Sequence, residues 1–120
     1  MIEQEYYRLR EVELQLLCDH INQNLGDALS LDQLSQKSGL SVFQINRLFK
    51  RFVGQTPMNY IWRRRVLKVK ERIETKCDLP INEICREFGF RHHSHFSRLF
   101  KEQLGVSPNK FIQKIRELNP

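Results

Sequence analysis

An arginine and a lysine recur together at two places in the chain, three residues apart each time. The run Arg47-Leu48-Phe49-Lys50 returns as Arg98-Leu99-Phe100-Lys101. A guanidinium carries a planar fork of N–H donors and an ammonium is a compact positive charge, so both groups suit ligands that are anionic or rich in acceptors. The same pair in the same four-residue context indicates two copies of one binding element.

The first copy lies on a predicted helix at about 42–53, for which Ser41 is a suitable N-cap. At 100° per residue, one side of this helix is apolar and must face a core: Ile45, Leu48, Phe49 and Phe52. The opposite side carries an aromatic ring, an amide and two cations: Phe43, Asn46, Arg47 and Lys50. Such a set suits base edges and phosphates. An ordinary solvated face with one exposed phenylalanine is the alternative interpretation.

The second copy repeats the frame around the cations as well. Gly39 corresponds to Gly89 at an offset of 50, and Pro57 corresponds to Pro108 at an offset of 51. The core side of the second helix is again apolar: Phe96, Leu99 and Phe100. Its outward side carries Ser94, Ser97, Arg98 and Lys101. Surface solubility alone does not explain such a repeat. We interpret the two outward faces as reading elements, called the first head and the second head below.

A long helix is predicted between the two copies, over residues 57–76. Pro57 fits a helix start, where its missing N–H is not needed, and Pro80 disfavours helix in the residue before it. The apolar positions in between lie mostly three or four residues apart: Ile61, Trp62, Val66, Val69 and Ile73. At 1.5 Å per residue the helix is about 30 Å long, close to the roughly 34 Å between successive major-groove windows on one face of B-DNA. It therefore suits a connector between two heads.

The remaining periodicity is also helical, and we predict an all-α fold of seven helices, with two helix-turn-helix subdomains joined by the long connector helix. Apolar spacing predicts the other helices at about 10–24, 31–38, 81–87 and 108–118. Ser30 and Gln33 form a predicted capping box at the start of the helix at 31–38, the first helix of the first helix-turn-helix. The domain division that follows is an N-terminal tail or linker at 1–9, a first subdomain at 10–56, the connector at 57–76 and a second subdomain at 77–120.

Composition and charge restrict the classes of function. The chain has 120 residues and a net charge of +6, of which residues 41–120 carry +10 and residues 1–40 carry −4. A basic region of this kind indicates a polyanionic partner, most often nucleic acid, although solvated lysine and arginine would give the same charge. No apolar run reaches membrane-spanning length, and residues 1–10 do not resemble a secretory signal. Three scattered cysteines form no disulfide framework, which favours a reducing cytoplasm.

A group of histidines raises the question of a metal site. His92, His93 and His95 lie near Cys85 and Cys77 in the sequence, but they lack the short ligand pairs typical of zinc sites. No Ser/His/Asp order, phosphate-cradling glycine loop or paired carboxylate is placed for catalysis. The sequence therefore predicts no metal, no cofactor and no enzymatic activity.

Two runs of the sequence resemble AraC/XylS-type transcription regulators. The second half contains GFRHHSHFSRLFKEQLGVSPNKF, which is similar to the signature of that family. The first half contains LSLDQLSQKSGLSVFQINRLFKRFVGQTPMNYI, which is similar to its first helix-turn-helix and linker. The resemblance covers about residues 21–115 and implies a seven-helix domain whose second helix in each subdomain enters a major groove. It also implies activation through contacts with RNA polymerase, and an upstream sensor domain if the chain is a fragment.

Carried over position by position, the resemblance assigns the base-reading residues: Phe43, Asn46 and Arg47 in the first head, and His93, Ser94, Ser97 and Arg98 in the second. The expected phosphate contacts are Ser41, Lys50, Arg65, Lys101, Lys110 and Lys114. The run Arg63-Arg64-Arg65 lies beside core-spaced Trp62, so we interpret it as partly phosphate-facing and partly structural rather than as a membrane-surface patch. Ile112 stands where arginine often follows the last aromatic, which leaves Lys110 and Lys114 as the candidates there.

The sequence thus predicts a sequence-specific regulator of transcription that binds double-stranded DNA, acts as an activator and lies in the cytoplasm. Two alternatives stay open. One is a basic helical module that binds an acidic protein, against which the repeated Arg/Lys pair argues. The other is a metal- or thiol-dependent sensor.

Binding to duplex DNA should weaken steeply as salt is added. Each neutralised phosphate releases counterions, so the logarithm of the association constant should fall against the logarithm of salt concentration by about 0.9 per phosphate contact. The basic region 41–120 should therefore give a slope of several units in a mobility-shift titration with random duplex. A flat salt response would exclude the DNA interpretation.

Overall fold

All regular secondary structure in the residues that the computed structural model describes, 3–75 and 80–118, is helical. These residues form seven α-helices: α1 (Glu3–Gln23), α2 (Leu31–Ser38), α3 (Val42–Leu48), α4 (Pro57–Thr75), α5 (Ile81–Glu87), α6 (His93–Leu104) and α7 (Pro108–Leu118). Helix α3 continues as a π-helical turn over Phe49–Val53. The predicted fold, two helix-turn-helix subdomains joined by a long connector helix, is confirmed.

Serine side chains fix where the two helices of the first helix-turn-helix begin. Ser30 Oγ accepts a hydrogen bond from the Gln33 N–H at 3.2 Å, and Gln33 Oε1 accepts one from the Ser30 N–H at 3.3 Å. Ser41 and Gln44 form the same reciprocal pair at 3.1 and 2.9 Å. Between the helices Gly39 has a φ of +76°, a conformation that glycine adopts without strain. The predicted capping box at Ser30 is confirmed, and the orientation of α3 is fixed from its first turn.

Two compact units divide the chain, residues 1–61 and 62–120. The core of the first unit is built from Tyr7, Leu14, Leu17, Ile21, Leu25, Leu34, Leu40, Ile45, Leu48, Phe49 and Ile61. The core of the second is built from Val66, Val69, Ile73, Ile84, Cys85, Phe90, Phe96 and Phe100. Helix α4 begins in the first unit and continues into the second, so its apolar side contributes to both cores.

Helix α1 begins at Glu3 and not near residue 10. Residues 3–9 are therefore helical, and the prediction of a tail or linker is wrong for them. The physical reason is Tyr7, which is only 5% exposed and lies on the same face as Leu14 and Ile21 at seven-residue spacing. At the other end of the connector, α4 is helical to Thr75. The predicted last residue, Lys76, and the cysteine after it lie outside the described residues.

Replacing Phe96 with alanine should destabilise the protein strongly. The Phe96 ring is fully buried, with its centroid 5.2 Å from that of Phe90 and 5.4 Å from that of Phe100. A cavity at such a site costs about 3–5 kcal/mol of unfolding free energy, which urea unfolding would measure.

The matched control is Phe43→Ala, because the Phe43 side chain is 71% exposed. Its loss should change the unfolding free energy by no more than about 0.5 kcal/mol. Equal destabilisation by the two substitutions would contradict the assignment of Phe96 to the core and of Phe43 to the surface.

Candidate nucleic-acid interface

Four residues predicted to form the first head share one face of α3 and its continuation. Together with Thr56 they line an open cavity of about 310 Å³: Phe43, Asn46, Arg47 and Lys50. Arg47 and Lys50 are exposed and Asn46 is half-buried. Ile45, Leu48 and Phe49 on the other side are fully enclosed in the first core. The apolar side thus anchors the helix, and the polar side presents acceptor, donor and cationic groups to solvent.

Ser41 lies at the edge of this face and is exposed. Its hydroxyl oxygen accepts the Gln44 N–H of the capping box. The O–H of a capping serine can still donate, so Ser41 can hold the helix start and donate to a phosphate at once. The free N–H groups at the start of a helix favour an anion in the same place.

The turn after Leu48 departs from a regular α-helix. Gly54 donates its N–H to the Phe49 carbonyl, five residues back, at 2.9 Å. In the second copy, Gly105 donates to Lys101, only four residues back, at the same distance. The wider turn shifts the phase of the side chains that follow Phe49. Phe52, predicted to lie on the core side from a 100° periodicity, is therefore 42% exposed, and that prediction is wrong.

Two tyrosines of α1 contact the helical segment that carries the first head, and the sequence patterns above do not predict these contacts. Gln44 Nε2 donates to the Tyr6 hydroxyl at 3.3 Å. The Tyr7 ring lies against Arg51, whose guanidinium carbon is 4.3 Å from the ring centroid. A signal was present, since Tyr7, Leu14 and Ile21 are spaced by seven residues and extend one helix face toward the N-terminus.

The second head is formed by α6. His93, Ser94, Arg98 and Lys101 are exposed, and Ser97 is half-buried. His93 Nε2 and Ser97 Oγ lie 3.1 Å apart, one turn from each other, and form a hydrogen bond. Phe96 and Phe100 hold the opposite side in the second core. The structure thus brings the predicted residues of this head to one face.

Arg65 does not share the exposure of the other predicted phosphate contacts. Its side chain is 4% exposed, and its guanidinium carbon lies 4.5 Å from the centroid of the Trp62 ring. Burial lowers the pKa of Arg65 from its ordinary value, although a guanidinium stays protonated. A side chain this enclosed has almost no surface for a phosphate, so the prediction for Arg65 is corrected to a structural role.

Helix α7 presents Lys110 and Lys114, both exposed. Ser107 caps this helix, because its hydroxyl oxygen accepts the backbone N–H of Lys110 at 3.3 Å. Ile112, at the position where an arginine was expected from the resemblance, packs against the second core. That position therefore supports the fold, and Lys110 and Lys114 stay the predicted phosphate contacts on α7.

In the part of the chain that the structure describes, no three His, Cys, Asp or Glu side chains come close enough together to hold a metal ion. Burial raises the pKa of the Cys85 thiol to about 12, which keeps it protonated and unreactive near neutral pH. Over the same described residues, every helix is too short or too polar to cross a bilayer.

A family of helix-turn-helix domains matches residues 34–114 of this chain. The probable transcription factor PqrA of Proteus vulgaris is 33% identical over 85 residues, which are 71% of this chain and 69% of that protein. The chain belongs to the AraC-type family of DNA-binding transcription regulators. The transcriptional activator AarP of Providencia stuartii is also 33% identical, over 76% of this chain and 67% of that protein. The multiple antibiotic resistance protein MarA of Escherichia coli is 28% identical over 83% of this chain and 78% of its own length.

Solved structures show the same AraC-type fold. The DNA-binding domain of AdpA, determined with a target DNA, superposes with a TM-score of 0.82 at 24% identity over 89% of this chain and 96% of that one. An AraC-type regulator from Chromobacterium violaceum superposes with a TM-score of 0.81 at 23% identity, covering 88% and 93% of the two chains. These similarities show that the fold of this chain is the AraC-type fold.

Acid should destabilise the second unit through His95. The imidazole packs against Trp62, with ring centroids 4.5 Å apart, and against Phe90 at 5.8 Å. Burial there lowers the pKa of His95, with smaller contributions from the charges of Arg98, His92 and Arg65. The unfolded chain therefore takes up the proton first as pH falls. The stabilising effect is complete above the ordinary pKa of about 6.5 and declines below it.

The measurement compares urea unfolding of the wild type and of His95→Phe at pH 7.5 and 5.5. Phenylalanine keeps a ring against Trp62 but cannot be protonated, so this variant should lose less stability between the two pH values. Every other side chain is the same in both proteins, so the difference between them reports on residue 95. An equal loss in both proteins would show that His95 does not cause the acid sensitivity.

Proposed function

We propose that this regulator recognises a specific site on double-stranded DNA by placing α3 and α6 in successive major grooves. The observation that carries the proposal is the repeated outward face: the pair Arg47 and Lys50 on α3 has its counterpart in Arg98 and Lys101 on α6, each opposite a buried apolar side. Core packing fixes which way each face points, and the major groove admits a helix with such side chains.

The first head carries side chains suited to three kinds of base edge. Asn46 matches the donor and acceptor of adenine, Arg47 matches the two acceptors of guanine, and the exposed Phe43 ring suits a thymine methyl. In the second head the corresponding contacts come from Arg98 and from the shorter Ser94 and Ser97, with His93 beside them. We therefore propose that the first head supplies more of the sequence discrimination and the second more of the anchoring.

Phosphate contacts would hold both heads in register without reading sequence. The proposed set is Ser41, Lys50, Lys101, Lys110 and Lys114, all of them exposed. Arg65 is left out because it is buried. The proposal keeps residues 57–76 as the connector between the two subdomains.

We propose further that the chain activates transcription by contacting RNA polymerase while bound near a promoter, and that it works in the cytoplasm by binding and without catalysis. The name of AarP describes that relative as a transcriptional activator, which supports the same direction of regulation here. A reporter gene is placed behind a selected binding site and this protein is produced in the same cells. Reporter expression should increase if the protein is an activator and decrease if it is a repressor.

Arg47→Ala and Arg98→Ala test the reading assignment. Each protein is incubated with duplexes that carry a randomised site, and the bound sequences are counted. Arg47→Ala should remove a base preference of about 1–3 kcal/mol at one position, since a bidentate arginine distinguishes guanine by that amount. Arg98→Ala should remove a weaker preference about ten base pairs away, one helical turn along.

Arg8→Ala is the control, because Arg8 is exposed on α1 and its loss removes the same charge. It should leave the base profile unchanged. If Arg47→Ala and Arg98→Ala instead lose affinity equally for all sequences, the two arginines contact phosphates only and the assignment of the reading faces is wrong.

A further inference from the structure

The first head has an aromatic support that comes from outside the helix-turn-helix. The ring of Tyr7, on α1, is almost fully buried, and two guanidiniums of the neighbouring segment lie over it. The guanidinium carbon of Arg51 is 4.3 Å from the ring centroid and that of Arg47 is 5.9 Å from it. Both distances lie within the range of about 6 Å in which an aromatic ring attracts a cation.

Two further contacts hold the Tyr7 ring in place. The rings of Phe52 and Tyr6 each pack against it in a T-shaped arrangement, with centroids 5.8 Å apart at 76° for Phe52 and 5.3 Å apart at 78° for Tyr6. Tyr6 in turn accepts a hydrogen bond from Gln44, the same side chain that completes the cap of α3 through Ser41. The Tyr6–Tyr7 pair is thus connected to both the start and the end of the first head.

Two of the residues that contact the Tyr7 ring lie in the π-helical turn and have no like counterparts in the second copy. Arg51 and Phe52 both lie within Phe49–Val53, where the wider turn changes the direction of the side chains. At the repeat offset of 51 their counterparts are Glu102 and Gln103, neither of which is a cation or an aromatic ring. The two copies therefore keep the same core but differ in how the outward arginine is held.

A free arginine side chain samples many rotamers, and binding must order it. A ring beneath the guanidinium restricts this freedom beforehand, so less entropy is lost when the N–H fork meets a base. We infer that Tyr7, held by Tyr6 and Phe52, is a positioning residue that orients Arg47 and thereby sets the base discrimination of the first head. This inference rests on the proposed function, since it requires that Arg47 reads a base.

The test compares Tyr7→Phe with Tyr7→Leu in the 120-residue chain. Phenylalanine keeps the π face, whereas leucine fills the core without one. The readout is the ratio of affinities for guanine and the other bases at the position that Arg47→Ala identifies. Tyr7→Leu should reduce this ratio by about two- to fivefold, the effect expected of a cation–ring contact at an exposed site. Tyr7→Phe should leave the ratio unchanged, and affinity for random duplex should be the same in both variants.

Melting temperature separates positioning from folding. If Tyr7→Leu is unfolded at the binding temperature, Tyr7→Met gives the same comparison, because its flexible side chain fills irregular space. In an Arg47→Ala background, Tyr7→Leu should have no further effect on the base at that position. Such a result ties the effect of the ring to Arg47.

The outcomes distinguish the two hypotheses. If Arg47→Ala abolishes the base preference while the folded ring-less variants of Tyr7 retain it, the positioning role is wrong and the proposed function stands. If Tyr7→Phe loses the preference as fully as Tyr7→Leu, the ring is not what orients Arg47. If Arg47→Ala itself leaves every base preference intact, the proposed function fails and the inference fails with it.

Discussion

The structure depends on one constraint, the burial of an apolar side by helices that are too short to be stable alone. Helices α2, α3 and α5 have eight, seven and seven residues, whereas isolated helices below about 12–15 residues are marginal in water. Their stability must come from tertiary contacts, and Leu34, Ile45 and Ile84 are accordingly almost fully enclosed. Because the inward side is fixed by packing, the outward side is fixed as well. The packing of the apolar sides in the cores therefore determines which way the residues of each head point.

The features that follow directly from the burial of an apolar side, namely which residues face inward and which face outward, can be predicted from the sequence. Apolar spacing located Ile45, Leu48 and Phe49 on the inward side of α3, and the structure confirms all three. The opposite face follows from simple rotation, so the sequence also predicts that Phe43, Asn46 and Lys50 share a face with Arg47. The repeat strengthened both assignments, because two stretches with the same apolar frame have to solve the same packing problem. The family resemblance then added the meaning of the outward face, which periodicity cannot supply.

Two features of the structure were not predicted from the sequence, the exposure of Phe52 and the burial of Arg65, and each has its own physical cause. In the π-helical turn Gly54 donates to a carbonyl five residues back instead of four, and no residue type in Phe49–Val53 predicts this turn. For this reason the 100° periodicity places Phe52 on the core side, whereas the structure exposes it. Arg65 is different, since its position three residues after Trp62 and one before Val66 lies within the apolar stripe of α4. The spacing favours burial of Arg65, whereas its charge favours exposure to solvent. A delocalised guanidinium over an indole ring can be buried at less cost than an ammonium, which is why the spacing prevailed.

The two copies also show where a repeated sequence is free to change. Close packing constrains the inward residues, so Phe49 and Phe100 coincide and both are fully buried. No such constraint acts on the outward side, where Asn46 corresponds to Ser97. The local supports also differ: the reciprocal Ser41–Gln44 cap and a tyrosine of α1 hold α3, whereas α6 begins without a side-chain cap bond. If each head reads the base edges that its side chains match, the two halves of the DNA site need not share a sequence.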